Sequence, residues 1–211
     1  RCAPAPSVWP LRNDDLGPDE RRLLERLSRL PRLPREAFGE RGFQTTEDDL
    51  AHLRRAPAGC SPHVVALREG ADVSEFRGLP PQLFADPAQL EGRLRPPADW
   101  QAVKVLIRQT ARFPLAAFSD GQGFRNSILA GFETPGCSAA LLLGLLNSQL
   151  LRWLHYAQHR DARQGMPQLK VSHLRALPAP PPEAACARAA IERIAERLGV
   201  SNGGIDAAQR A

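Results

Sequence analysis

The sequence predicts an α+β domain: a twisted, mainly antiparallel sheet with one broad buried helix and a C-terminal helix. Three observations carry this. Val103–Thr110 is rich in β-branched residues and is followed by short apolar segments around turn residues. Residues 138–159 set Leu141, Leu142, Leu145, Leu146, Leu150, Leu151, Trp153 and Leu154 on a wide apolar face behind Ser138, a candidate N-cap. Glu183–Leu198 returns Ala189, Ile191, Ile194, Ala195 and Leu198 at helical spacing. The 20 prolines among 211 residues argue against a plain helix bundle.

Taken in order, residues 1–35 form a helical lead-in. Leu23, Leu24, Leu27 and Leu30 recur along Glu20–Leu30, with Asp19 as N-cap and Pro31 as the stop. The leucine face is expected to pack on the domain's own core; contact with an upstream domain is the alternative. Residues 36–182 form the main domain. His63–Leu67 reads as a strand, and Leu67–Arg77 as a strand end, a turn and a short helical or extended piece. Pro87–Leu94 contains a short helix. Val103–Thr110 and Pro114–Phe118 are strands, Asp120–Gly123 a hairpin turn, and Phe124–Phe132 a further strand, together an antiparallel meander. Beyond the long helix, Arg160–Pro167 is a basic loop, Gln168–Val171 a short strand and His173–Ala176 a turn. Pro178–Pro182 is a stiff extended spacer, leading to a C-terminal helix and tail over residues 183–211.

The formal net charge is +5, a balance that fits a polyanionic partner. Lys104 and Lys170 are the only lysines; the other cationic side chains apart from histidine are arginine. Two readings stay open: arginine suits bidentate contact with phosphate and guanine, and it also accumulates in GC-rich genomes. Cys2, Cys60, Cys137 and Cys186 lie far apart, without zinc-finger spacing or the density of a secreted disulfide framework. Free thiols in a reducing cytoplasm are the expectation. The longest apolar run, Ala139–Leu146, is too short to cross a bilayer. The N-terminus, Arg-Cys-Ala-Pro, lacks both a signal-peptide pattern and an initiator methionine, so the chain is expected to be part of something longer.

No P-loop, G-x-S-x-G or H-E-x-x-H motif is present, so no catalytic residue is assigned. Phe118–Gly123 superficially matches a cofactor-binding glycine turn, but no βαβ unit follows it. His155 and His159 share one helix face, a spacing able to bind metal. With only Asp161 nearby they read as a solvated helix end, and no metal is expected. Basic and amide side chains gather in three places. Lys104, Arg108, Gln109, Thr110 and Arg112 lie along one strand and its end. Arg125 and Asn126 follow the glycine turn. Arg160, Arg163, Gln164, Gln168 and Lys170 populate the loop after the long helix. Arginine, glutamine and asparagine read base edges, and arginine, lysine and threonine hold phosphates. The alternative is a polar sheet edge and a solvated loop.

Three segments resemble the TaqI-like C-terminal specificity domain of adenine-specific DNA methyltransferases in type II restriction–modification enzymes. The first is Lys104-Val-Leu-Ile-Arg-Gln-Thr-Ala111 with Phe113-Pro-Leu-Ala-Ala117 and Asn126-Ser-Ile128. The second is Leu142-Leu-Gly-Leu-Leu-Asn-Ser-Gln-Leu-Leu151. The third is Gln164-Gly-Met-Pro-Gln-Leu-Lys170 with Leu174-Arg-Ala-Leu-Pro178. Gly42-Phe-Gln-Thr-Thr46 is a weaker match, departing at Thr46 from the family's glycine; Gly70, Asp72 and Phe76 match a further segment loosely. The likeness spans residues 36–182 in the family's order, and extends to the half-modules of type I specificity subunits, whose Pro-rich exit leads into a long helix.

The resemblance implies recognition of duplex DNA within a methyltransferase, while a catalytic domain, in the same chain or a separate subunit, carries the S-adenosylmethionine site and the N-P-P-[YF] motif. No Asn-Pro-Pro occurs in this chain, so neither cofactor nor methyl transfer is expected of it. Arg108, Gln109, Arg125, Gln164, Gln168 and Lys170 are then the candidates for groove contacts, and Arg160 and Arg163 for phosphates. Two other readings compete: a protein-interaction module docking through its amphipathic helices, and an enzyme of unrecognised type signalled by metal at His155 and His159.

Overall fold

The structure is a computed structural model that describes residues 16–55, 64–90, 93–159 and 167–201. Chain order begins with helix α1 (Pro18–Ser28), strand β1 (Phe38–Gly39), helix α2 (Glu47–His52) and strand β2 (Leu53–Arg54). Strands β3 (Val65–Arg68), β4 (Val73–Ser74), β5 (Arg77–Gly78) and β6 (Leu83–Ala85) follow, then helix α3 (Pro97–Gln101). Strands β7 (Val105–Arg108), β8 (Ala116–Phe118), β9 (Gly123–Phe124) and β10 (Ile128–Gly131) precede helices α4 (Ala139–Asn147), α5 (Gln149–Gln158), α6 (Val171–Arg175) and α7 (Ala185–Ser201).

The fold is α+β, and its strands pair mainly antiparallel. Among the described residues they form two four-stranded sheets, β1-β10-β7-β8 and β2-β6-β3-β9, and a β4-β5 ribbon. The first sheet is the middle layer. Val105 and Ile107 of β7, Leu129 of β10 and Ala116 of β8 point into one core shared with the helices. Their neighbours Leu106, Ile128, Ala130 and Ala117 point into a second core with Phe43, Leu67, Leu83 and Phe124. Burial on both faces explains why β7 reads as a continuous apolar run rather than alternating with polar residues.

The glycine turn differs from the expected hairpin. β8 pairs with β7, whereas β9 pairs in parallel with β3 in the other sheet. Asp120–Gly123 therefore carries the chain between layers, and the Asp120 carboxylate holds the guanidinium of Arg68 on β3. The expected single strand over Phe124–Phe132 is likewise two, β9 and β10, separated by a turn at Asn126-Ser127. A local turn signature cannot tell a hairpin from a crossing, because pairing is settled by distant strands.

The long helix is also divided. Ser148 is extended, with ψ 158 at Ser138 and 140 at Ser148 marking the two N-caps. Ser148 Oγ donates to the Leu145 carbonyl at 2.7 Å and accepts from the Leu151 N–H at 3.2 Å, so one hydroxyl closes α4 and opens α5. The apolar period runs through the break, which is why the sequence suggests one helix. α4 is buried nearly all round. A β-carbon on Gly144 would stand 2.6 Å from Ile191 Cγ2, so only glycine lets α7 lie this close.

Smaller shifts follow the same logic. Pro18 opens α1 at a position where its missing N–H costs nothing, and Glu20 caps the Gly17 N–H at 2.9 Å, so Asp19 lies inside the helix. Leu27 and Leu33 join the helix-side core, with Leu23, Leu24 and Leu30 packed against it. Pro87–Leu90 is a 3-10 turn, and 171–175 is helical rather than strand and turn. Pro178-Ala179 does not float as a spacer: Ala179 donates to the Pro31 carbonyl at 2.8 Å, and Leu33 to Leu177 at 2.9 Å. On α7, Ala195 is buried, while Ile194 is 49% exposed and so lies off the packing face.

Candidate nucleic-acid interface

Members of all three predicted groups meet at the end of β7. Gln109 donates its main-chain N–H to Ser127 at 2.9 Å, and its carbonyl accepts from Leu169 at 2.8 Å. Thr110 bridges to Gln168. The 109–111 segment thus lies between the turn at 126–127 and the chain at 168–170. Phe43 completes the row: it bridges in parallel to Arg125, donates to Phe124 at 2.8 Å and accepts from Asn126 at 3.0 Å. Gly42 makes this approach possible, since a β-carbon there would meet Asn126 N at 2.6 Å.

The resulting edge is rich in amides. Asn126 Nδ2 donates to Gln44 Oε1 at 2.9 Å. Gln44, Gln109 and Asn126 line a polar cleft of about 250 Å3 together with Glu40, Gly42, Arg95 and Ile128. The Gln109, Arg112, Gln168 and Lys170 side chains make no hydrogen bond or ion pair among the described residues. Behind the edge, the Gly70 N–H donates to Ser127 Oγ at 2.9 Å and buried Asp72 accepts from the Glu69 N–H at 2.8 Å, so the 69–72 turn buttresses the turn at 126–127.

Not every predicted residue joins this edge. Lys104 lies at the opposite end of β7, its ammonium on the Gln101 carbonyl at 3.3 Å. The Arg125 guanidinium is engaged by Glu69 and by Thr45 Oγ1 at 2.7 Å, which makes it a brace for the turn. Arg108 Nε donates to the Thr110 carbonyl at 3.0 Å and fixes the bend after β7. Arg160, Arg163 and Gln164 fall outside the described residues. Sequence reasoning overlooked Glu40, Gln44 and Arg95. Gln44 had a signal in the weak Gly42–Thr46 match; the other two are brought here by tertiary contacts alone.

His155 and His159 are not a solvated helix end. His155 is 2% exposed, and His173 of α6 completes a cluster with ring centroids 4.0 to 5.6 Å apart. Burial, then repulsion from His159 and His173, pushes the His155 pKa down to about 3, partly offset by the Arg112 main chain. Burial and then His173 lower that of His159 to about 4. The His155 and His159 rings are therefore neutral at pH 7. His159 and His173 stack at an interplanar angle of 3°, and parallel rings share no point in both planes where a metal could sit. No metal-binding group of three or more histidine, cysteine, aspartate or glutamate side chains occurs among the described residues. Cys137 is buried, which raises its thiol pKa, and Cys186 is exposed; both are free. No described helix is long and apolar enough to cross a membrane.

The described body is α+β and presents an amide-lined edge at the end of β7. The family model of the TaqI-like C-terminal specificity domain matches residues 67–179, more than half of the chain, and the protein belongs to that family. The match includes Gln109, Asn126, Gln168 and Lys170 and excludes Glu40 and Gln44. No curated protein matches the chain.

Proposed function

We propose that this chain is the sequence-specific DNA target recognition domain of a restriction–modification adenine-N6 DNA methyltransferase, working in the cytoplasm and non-catalytic by itself. The supporting observation is the row of amides at the end of β7, inside a specificity-domain family match. Glutamine and asparagine pair bidentately with adenine, Arg95 suits guanine, and Glu40 suits the cytosine amine. Lys170 and Arg112 at the rim suit phosphates, as would Arg160 and Arg163. The catalytic partner, in this chain or another, holds S-adenosylmethionine and receives the flipped adenine.

Fluorescence anisotropy with a random pool of duplex DNA at two salt concentrations, followed by sequencing of the retained fraction, tests this reading. Salt-sensitive binding that enriches a short motif is expected. Absence of binding even at low salt would transfer the role to protein docking through the amphipathic helices.

A further inference from the structure

The lead-in ahead of the family-matched region is dense in arginine. Residues 16–35 carry Arg21, Arg22, Arg26, Arg29, Arg32 and Arg35 against Asp19, Glu20 and Glu25, so over half of the net charge of +5 lies here. Arg22, Arg26 and Arg29 recur at i, i+4 and i+7, one stripe beside the leucines that anchor α1 to the core. The stripe is therefore held outward on a packed helix.

Its arginines differ from the four of the body that are held by carboxylates. Arg68, Arg93, Arg125 and Arg152 sit on Asp120, Asp49, Glu69 and Glu75. Among the described residues Arg21, Arg26, Arg29 and Arg35 have no carboxylate within 4.0 Å, and Arg22 has only the fully exposed Asp19 at 3.6 Å, a pair of little energetic weight. The strip also continues from the recognition edge. α6 begins immediately after Lys170; at its far end the Ala176 carbonyl accepts from Arg32 at 2.8 Å, while Arg175 donates to the Arg35 carbonyl at 2.8 Å. Five helical residues span roughly 8 Å, about two nucleotide steps of one DNA strand.

We infer that Arg22, Arg26, Arg29 and Arg35 form a second, sequence-independent contact strip for the phosphate backbone of duplex DNA flanking the recognised site. The inference rests on the DNA-recognition reading above. Unpaired guanidinium groups release counterions when they meet phosphates, so the strip adds affinity and salt dependence without adding sequence preference.

The test uses the full chain and a triple variant, Arg22→Gln, Arg26→Gln and Arg29→Gln, in which glutamine preserves helix propensity. Binding to duplexes bearing the enriched motif is measured across a salt series and with the flanks shortened stepwise. The expected result is a slope of log K against log salt reduced by about 2–3, and an affinity loss on the order of 10- to 100-fold near physiological salt. The enriched motif stays the same, and the difference from wild type vanishes once the flanks are removed. An unchanged slope in a variant with unchanged circular dichroism and melting overturns the strip while leaving recognition standing. Wild-type protein that binds no DNA overturns both.

Discussion

Arg68 and Gln109 lie within the same three-layer body, yet their polar groups are treated in opposite ways. Arg68 is 7% exposed; its Nε donates to the Leu79 carbonyl at 2.8 Å and both terminal nitrogens reach Asp120. Asn147, 3% exposed, accepts from the Ala116 N–H at 3.1 Å and donates to the Ala116 carbonyl at 2.9 Å, completing the edge of β8. Gln109 uses its main chain for folding and leaves its amide uncommitted. Burial makes an unpaired polar group costly, so the body pairs its own. At the end of β7 the Gln109 amide is left open, which is what the proposed reading of bases requires. Substitutions in the body should therefore alter stability, and substitutions at the edge should alter binding.

The largest expected effect is Asp120→Ala, which strands a buried guanidinium and should cost about 3–5 kcal/mol in urea unfolding. A loss under ~1 kcal/mol would mean that Arg68 finds water and that the body is less closed than described. Asn147→Ala leaves the buried Ala116 N–H without a partner and the Ala116 carbonyl with the Phe76 N–H alone, and should cost roughly 1–3 kcal/mol, with the DNA motif unchanged. Altered sequence preference in that variant would erase the division between body and edge.

Acid offers a third probe. His155 and His159 have folded pKa values near 3 and 4, below the ordinary 6.5. Below pH 6.5 the unfolded chain binds more protons than the folded one, so stability falls as pH drops from about 6.5 toward 4. The slope for His155 approaches ~1.4 kcal/mol per pH unit. Half-exposed His159 contributes a smaller, solvent-screened share. Melting temperatures should drop between pH 7 and 5, and His155→Phe should flatten that drop; a parallel decline in the variant would point elsewhere. Smallest for folding are Gln109→Ala and Asn126→Ala, expected within about 0.5 kcal/mol of wild type in stability. Each should relax discrimination at one base position by roughly 1–3 kcal/mol. Equal binding to every single-base variant of the motif, for wild type and mutant alike, would remove the edge from recognition.

Much of this was legible in the chain. The β-branched run at 103–110 marked the central strand, the Ser138 cap and the leucine pattern marked α4, and Gln109, Asn126 and Gln168 were picked out although 59 positions separate the first from the last. Arg125 was legible as a cation near the site but not as a brace, because its partners Glu69 and Thr45 are distant in sequence. The histidine cluster was half visible: His155 and His159 share a helix face, while His173 reaches them only through the return of α6.

Helical period, capping hydroxyls and β-branched stiffness are free energies of neighbouring residues, and they already specify α1, α4, α7 and β7 from the order of side chains. Which strand β9 joins, where the long helix breaks, which arginines are neutralised and which amides share a cleft depend on contacts between residues far apart in the chain. Those contacts form only when two cores close on either face of one sheet, and burial then decides which polar groups must pair and which remain open to a partner.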